Sequence, residues 1–183
     1  SIEKPIYKEK LRVRSYQKVS KDDQVFVELK KKYDGVVFKR RVAMQENKAF
    51  NWLTSGKDCG IKSQIVNEID YFISYYQNLF PTMFVSYERE AYYSKDISDF
   101  RLTFDKNIIC RDYDLTLNSD VYGECILDSN YVLMEIKCTN SIPLWLARFL
   151  SNEKIYKTSF SKYGTAYEKM ILPKINKEIY VEE

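Results

Sequence analysis

The sequence runs to 183 residues, enough for one domain or a tight pair, and its 45% hydrophobic and 30% charged residues describe a soluble globular chain with a buried core. No apolar run approaches the ~18 residues of a membrane span, and the complete absence of His excludes His-ligated zinc, Ser-His-Asp triads and Cys-His dyads. The net charge of +3 hides an asymmetry: Lys8 to Arg41 holds 12 Lys and Arg against 5 Asp and Glu, while the rest of the chain is net acidic. Such gathering points to a phosphate or other polyanion as partner or, on the plainer reading, to a solvated basic surface.

Strands place alternate residues on one face. That period runs through Tyr7–Tyr16, where Lys8, Lys10, Arg12 and Arg14 fall on one side and Leu11 and Val13 on the other. Gln24–Tyr33 repeats it, with Val25, Val27 and Leu29 opposite Glu28, Lys30 and Lys32. Asp34-Gly35 reads as a hairpin turn, and Val36–Val42 follows with Lys39 and Arg41 on one face. Spacings of three and four over Ile61, Ile65, Ile69, Phe72, Ile73 and Tyr76 predict an amphipathic helix from Ile61 to Leu79, ended by Pro81. Strands resume at Met83–Tyr93, with Val85, Tyr87, Arg89 and Ala91 together, and at Phe100–Phe104, with Arg101 and Thr103 opposite three hydrophobic residues. Asp112–Leu117 and Tyr122–Leu127 are weaker strand segments. Tyr131–Cys138 sets Val132, Met134, Ile136 and Cys138 against Leu133, Glu135 and Lys137. Ser141 can cap a helix through Pro143, Trp145 and Leu150, and Ser161–Leu172 predicts a second. No repeat, linker or composition break divides the chain, so a single domain over residues 1–183 is expected.

A charged strand face either meets solvent outside a sheet or lines a barrel whose apolar faces pack outward against helices. Like charges inside a barrel repel unless an anion or water fills it. A basic lumen would therefore bind a phosphate chain. Glu135 in that lumen would hold Mg2+ or Mn2+ together with phosphate oxygens, or would pair with neighbouring cations across the sheet. A binder of single-stranded nucleic acid would interleave aromatics with its basic residues. The basic faces of the first three strands are read as carrying none, so nucleic acid is not expected as a partner. Cys59, Cys110, Cys125 and Cys138 form no CxxC and are too few for a disulfide framework, which suits reduced thiols in a cytoplasmic setting.

Seven segments occur in order: Lys10-Leu11-Arg12-Val13-Arg14, Val27-Glu28-Leu29-Lys30, Phe38-Lys39-Arg40-Arg41, Tyr87-Glu88-Arg89-Glu90-Ala91, Arg101-Leu102-Thr103-Phe104-Asp105, Leu133-Met134-Glu135-Ile136-Lys137 and Phe160-Ser161-Lys162-Tyr163. Together they resemble the VTC domain of polyphosphate polymerases, within the triphosphate tunnel metalloenzymes of the CYTH-like superfamily. The resemblance implies an α+β fold in which an antiparallel β-barrel forms a tunnel with flanking helices. It implies a metal-dependent phosphotransferase that moves the γ-phosphoryl group of ATP onto a growing inorganic polyphosphate chain, with Mn2+ or Mg2+ as cofactor. Carried over residue by residue, the phosphate-binding and catalytic positions are Arg12, Arg14, Lys30, Lys39, Arg89 and Arg101. Lys162 joins them as a phosphate ligand from a helix, and Arg41 shares the face either as a ligand or as an ion-pair partner of Glu28. Glu135 is the implied metal ligand.

The sequence departs from the family pattern in two places. Family members begin with an additional strand bearing acidic and basic tunnel residues, which has no counterpart here, so the barrel is expected to lack its first strand. The chain starts at Ser1 rather than Met and reads as a piece of a longer protein; a partner domain or membrane complex is not visible in it. Ser159 stands where a basic residue is expected, with Lys157 the nearest substitute. Two further readings share the tunnel: a triphosphatase that passes the γ-phosphate to water, and a module that binds polyphosphate without turnover.

Overall fold

The alternation over the first forty residues produces a three-stranded antiparallel meander in the order β1-β2-β3, with β1 at Tyr7–Arg14, β2 at Gln24–Tyr33 and β3 at Val36–Gln45. The computed structural model describes residues 5–97 and 99–179. Its contacts divide the chain into two units: Ser1–Thr82 with Asp114–Asp120, and Met83–Tyr113 with Val121–Glu183. In the first unit the turn between β2 and β3 takes Asp34 and Gly35 to φ 43° and 82°, the doubly left-handed conformation for which Asp-Gly is suited. Register pairs Leu11 with Leu29 and Val13 with Val27, so the apolar sides coincide. Val25, Val27 and Leu29 are fully buried against Ala49, Trp52, Val66, Ile69 and Phe72.

The two helices of this unit supply the cover. β3 runs on past the expected Val42 because Gln24 and Val25 give Gln45 and Met44 partners. It leads directly into α1 (Glu46–Ser55), which the periodicity reading did not contain. Only Ala49 and Trp52 of this short helix are buried, too few to print a pattern, and Gly56 closes it at φ 65°. α2 occupies Gln64–Tyr76 rather than Ile61–Leu79. Ser63 sets its start by accepting from the Val66 amide at 3.2 Å. It stops before Leu79 because Gln77 and Asn78 adopt φ 43° and 45°. The segment 112–117 is not a strand: Asp114 turns at φ 44° and accepts the Ser119 hydroxyl at 2.8 Å.

The second unit is a sheet organised on one long strand. β5 (Arg101–Arg111) pairs with β4 (Phe84–Tyr93) along its length, with β7 (Leu133–Lys137) at its first half and with β6 (Glu124–Cys125) at its second. The expected strand ended at Phe104; beyond it Lys106-Asn107 breaks the alternation. Here a bulge opposite Tyr87, with Asn107 at φ 49°, absorbs the break. Register then sets Asp105 against Arg89 and Cys110 against Val85, so one face continues through the irregularity. β6 and β7 are shorter than the expected 122–127 and 131–138. α3 (Leu144–Asn152) starts after Pro143, with no cap from Ser141. Ser161 does cap the last helical run, accepting from the Gly164 amide at 3.1 Å. That run comprises α4 (Lys162–Ala166), a π-helical turn at Tyr167–Ile171 and α5 (Leu172–Ile179), and so extends past the expected Leu172. Ala166 and Met170 cover Cys110, with Met83, Val85 and Ile126 packed alongside.

The structure thus has the antiparallel sheets and flanking helices of the expected α+β class. Among the described residues, strand pairing gives two separate sheets and no closed barrel.

Gly123 anchors β6 at φ 138°, where a β-carbon would lie 2.4 Å from the Cys110 carbonyl oxygen. Gly123→Ala is therefore expected to destabilise the chain by more than about 1 kcal/mol in urea titrations, whereas Gly60→Ala, with open space around it, should cost less.

Candidate functional site

Each sheet has a face on which cations gather around a buried carboxylate. In the first sheet the direct cross-strand row is Arg12–Glu28–Arg41, and the next row is Lys10–Lys30–Lys39. Glu28 is only 1% exposed and lies in the central strand. Arg12 donates from Nε at 2.9 Å and from a terminal nitrogen to one Glu28 oxygen. The other oxygen receives Lys39 at 2.8 Å and faces Arg41 Nε at 3.3 Å. Burial alone would raise the Glu28 carboxyl. The hydrogen bonds from Lys39 and Arg12, with their charges, carry it below the usual carboxylate range instead. Arg41 also lies 3.6 Å over the Phe26 ring and donates to the Tyr16 hydroxyl at 3.0 Å, while Arg14 lies 4.7 Å over the Tyr16 ring. The Lys10 side chain is accessible overall, yet its ammonium is pushed down to about 8 by desolvation and then by the like charges of Arg12, Lys30 and Lys8.

The second sheet repeats the device with Asp105, which is fully buried. Arg89 grips it with two parallel bonds of 2.6 and 2.7 Å. Lys162, the first residue of α4, reaches the same carboxylate. Arg89 and Lys162 also sit 5.1 and 4.6 Å over the Tyr87 ring. Burial would raise Asp105, and the bonds from Arg89 and Lys162 hold it low. The reciprocal bond raises the Arg89 guanidinium against the opposing effect of desolvation. On the same face, by register with Thr103, lies Glu135, which pairs with Lys137 at 3.2 Å and with Arg89 at 3.5 Å. Arg101 is the cross-strand neighbour of Lys137 and stacks at 5.6 Å over Tyr93.

Of the positions expected from the sequence, Arg12, Lys39 and Arg41 meet on Glu28, and Arg89 and Lys162 meet on Asp105. Lys30 is in the row beside Glu28, Arg14 lies one row further along on the other side of it, and Arg101 lies on the Asp105 face at the start of β5, with Thr103 between them. Lys157 and Ser159 are both exposed in the irregular segment before α4. The sequence reading did not single out Glu28 and Asp105 as the centres of these clusters. Their signal was there: Glu28 alternates with Lys30, and Asp105 continues the Arg101, Thr103 parity. The expectation that the basic faces of the first three strands lack aromatics is wrong, because Phe26 shares the parity of Glu28 and stands opposite Arg14.

The residues present can be weighed against Mg2+ or Mn2+. Among the described residues no three His, Cys, Asp or Glu converge as a metal cluster. Glu135, 43% exposed, offers one accessible carboxylate already bordered by two cations. That fits a minority ligand of an ion carried mainly by phosphate oxygens, the usual mode for Mg2+ at phosphate sites. It does not fit a cage built by the protein alone.

A chain of antiparallel sheets whose cations converge on buried carboxylates is a candidate anion binder. The model of the VTC domain matches residues 1–171, and the chain belongs to that family, which is associated with polyphosphate metabolism. A search of curated proteins gave no match. No helix among the described residues is long and apolar enough to cross a membrane.

Glu28 and Asp105 make the fold acid-sensitive. Both carboxyls are depressed in the folded state, so their contribution is complete above the ordinary values of 4.5 and 3.8 and is lost as the pH falls through the depressed ones. Urea midpoints should therefore be level from pH 7 to 5 and fall below pH 4, and Asp105→Asn should flatten that fall.

Proposed function

We propose that the two basic faces bind linear phosphate chains and that the protein acts as a polyphosphate polymerase, moving the γ-phosphoryl group of ATP onto a growing chain. The observation that carries this reading is the surplus of cations over each buried carboxylate. Arg12, Lys39 and Arg41 surround the single charge of Glu28, and their side chains stay 47%, 44% and 35% exposed. Positive charge is thus presented to solvent by groups whose positions are already fixed. Arginine forks match phosphate oxygens in pairs, and a repeating anion satisfies several cations that a single phosphate cannot. The family membership supports the same substrate class and adds to the proposal a barrel-shaped enclosure, and the four free cysteines add a cytoplasmic setting.

Phosphoryl transfer asks the protein for alignment and charge neutralisation more than for covalent chemistry. Arg12, Arg14, Lys30, Lys39, Arg89 and Arg101 would hold the phosphates, with Lys162 and Arg41 as further ligands. Glu135 would help to hold Mn2+ or Mg2+ on the phosphate oxygens, and that ion would supply neutralisation of the transferring group. Incubation with ATP and either metal, followed by separation on a polyphosphate gel, tests the assignment. A ladder of chains supports a polymerase. Free phosphate alone would make the chain a triphosphatase, and binding without turnover a polyphosphate module.

Tripolyphosphate is expected to raise the melting temperature well above the shift given by equimolar orthophosphate, and salt should erode the difference. Equal shifts would contradict an extended site. A single-stranded oligonucleotide should shift it less than tripolyphosphate: Phe26 is covered by Arg41, and Tyr87 carries Arg89 and Lys162, so these rings are not free platforms for bases.

A further inference from the structure

The geometry points to Glu28 as a positioning residue for the phosphate site, a built-in carboxylate that holds Arg12 and Lys39 in the spread in which they meet the anion. This rests on the reading that the face binds linear phosphate. Glu28 is 1% exposed, so neither a phosphate chain nor its metal reaches the carboxylate directly. Its role is exercised through the residues around it. One cation would neutralise it, but three converge, from the strands on both sides. The surplus is what a structural ion pair would not need and what an anion site would.

The three cations are not held alike. Arg41 has Phe26 under its guanidinium and the Tyr16 hydroxyl as acceptor, so it keeps its place without Glu28. The ion pair of Arg12 and the ion pair of Lys39 are both made with Glu28, one to each oxygen. Those two oxygens fix how far apart the two heads stand. Without the carboxylate, the like charges of Arg12, Lys39 and Arg41 push the two flexible side chains outward. The site then gains net charge and loses its arrangement.

These two consequences have opposite signs for binding, and Glu28→Gln separates them because it keeps the shape and removes the charge. Positioning predicts that tripolyphosphate affinity, measured by calorimetry, falls about tenfold although the face becomes more positive. Simple electrostatics predicts tighter binding. In a double-mutant cycle, Arg12→Ala should cost much less in the Glu28→Gln background than in the wild-type chain, because the arginine has already lost its place. Glu28→Asp keeps the charge but withdraws the anchor by one methylene. It should weaken tripolyphosphate about threefold or more while orthophosphate affinity stays level, and it decides the matter should Glu28→Gln fail to fold. Equal or tighter binding by a folded Glu28→Gln, additive Arg12→Ala and Glu28→Gln effects, or unchanged binding by Glu28→Asp overturns the positioning role and leaves the phosphate site standing. A wild-type chain that does not bind tripolyphosphate overturns both.

Discussion

A row of arginines and lysines on neighbouring strands is self-repelling, and everything distinctive in this structure depends on how that repulsion is met. Strands lie about 5 Å apart, so cross-strand cations such as Lys10, Lys30 and Lys39 stand within strong mutual influence. The molecule places one carboxylate in the middle of each charged face and buries it. Taking a carboxylate out of water is costly unless it is paired and hydrogen-bonded. Glu28 and Asp105 meet that condition with two or more cations each. The counter-charge lies beneath the cations and the excess positive charge lies above, facing solvent.

The two faces reach this arrangement by different routes. In the first sheet, unbroken pairing across three strands is enough, and the register brings Arg12 and Arg41 to Glu28. In the second, the sheet brings Arg89 to Asp105 and a helix brings Lys162. The bulge at Asn107 keeps one face continuous, so that α4 and the turn after it cover the Cys110 end while Lys162 reaches Asp105. The second face also carries the additional carboxylate Glu135, beside Arg89 and Lys137. The first is therefore the more strongly basic face, and the second is the one with an accessible acid able to share a cation with phosphate.

Much of this was legible in the sequence because period two is a strong signal when charged and apolar residues strictly alternate. Arg12 falls on the expected face for that reason; around Lys39, Arg89 and Glu135 the alternation is looser, with Val37, Tyr87 and Leu133 on the charged side. α1 was not legible, since a ten-residue helix with two buried side chains leaves no stripe to read. The full length of β5 was hidden by Lys106-Asn107, which reads as a break until the bulge is seen to absorb it. The roles of Glu28 and Asp105 depend on which residues stand across from them and on complete burial, and neither follows from one strand taken alone. Phe26 shows the opposite error, since its parity was available and the ring was still not counted on the basic face. Closure into a barrel is a property of strand partners that alternation within a strand does not specify.

Where a linear phosphate chain settles on the protein is the decisive question. A crystal structure of the protein grown with tripolyphosphate locates it most directly. Phosphate oxygens are expected within about 3.2 Å of guanidinium or ammonium groups on these faces, with Arg12 or Arg89 among them and with Glu28 and Asp105 still buried beneath. Tripolyphosphate lodged instead on the opposite sheet faces, or found only among exposed lysines such as Lys154 and Lys157, would contradict that placement.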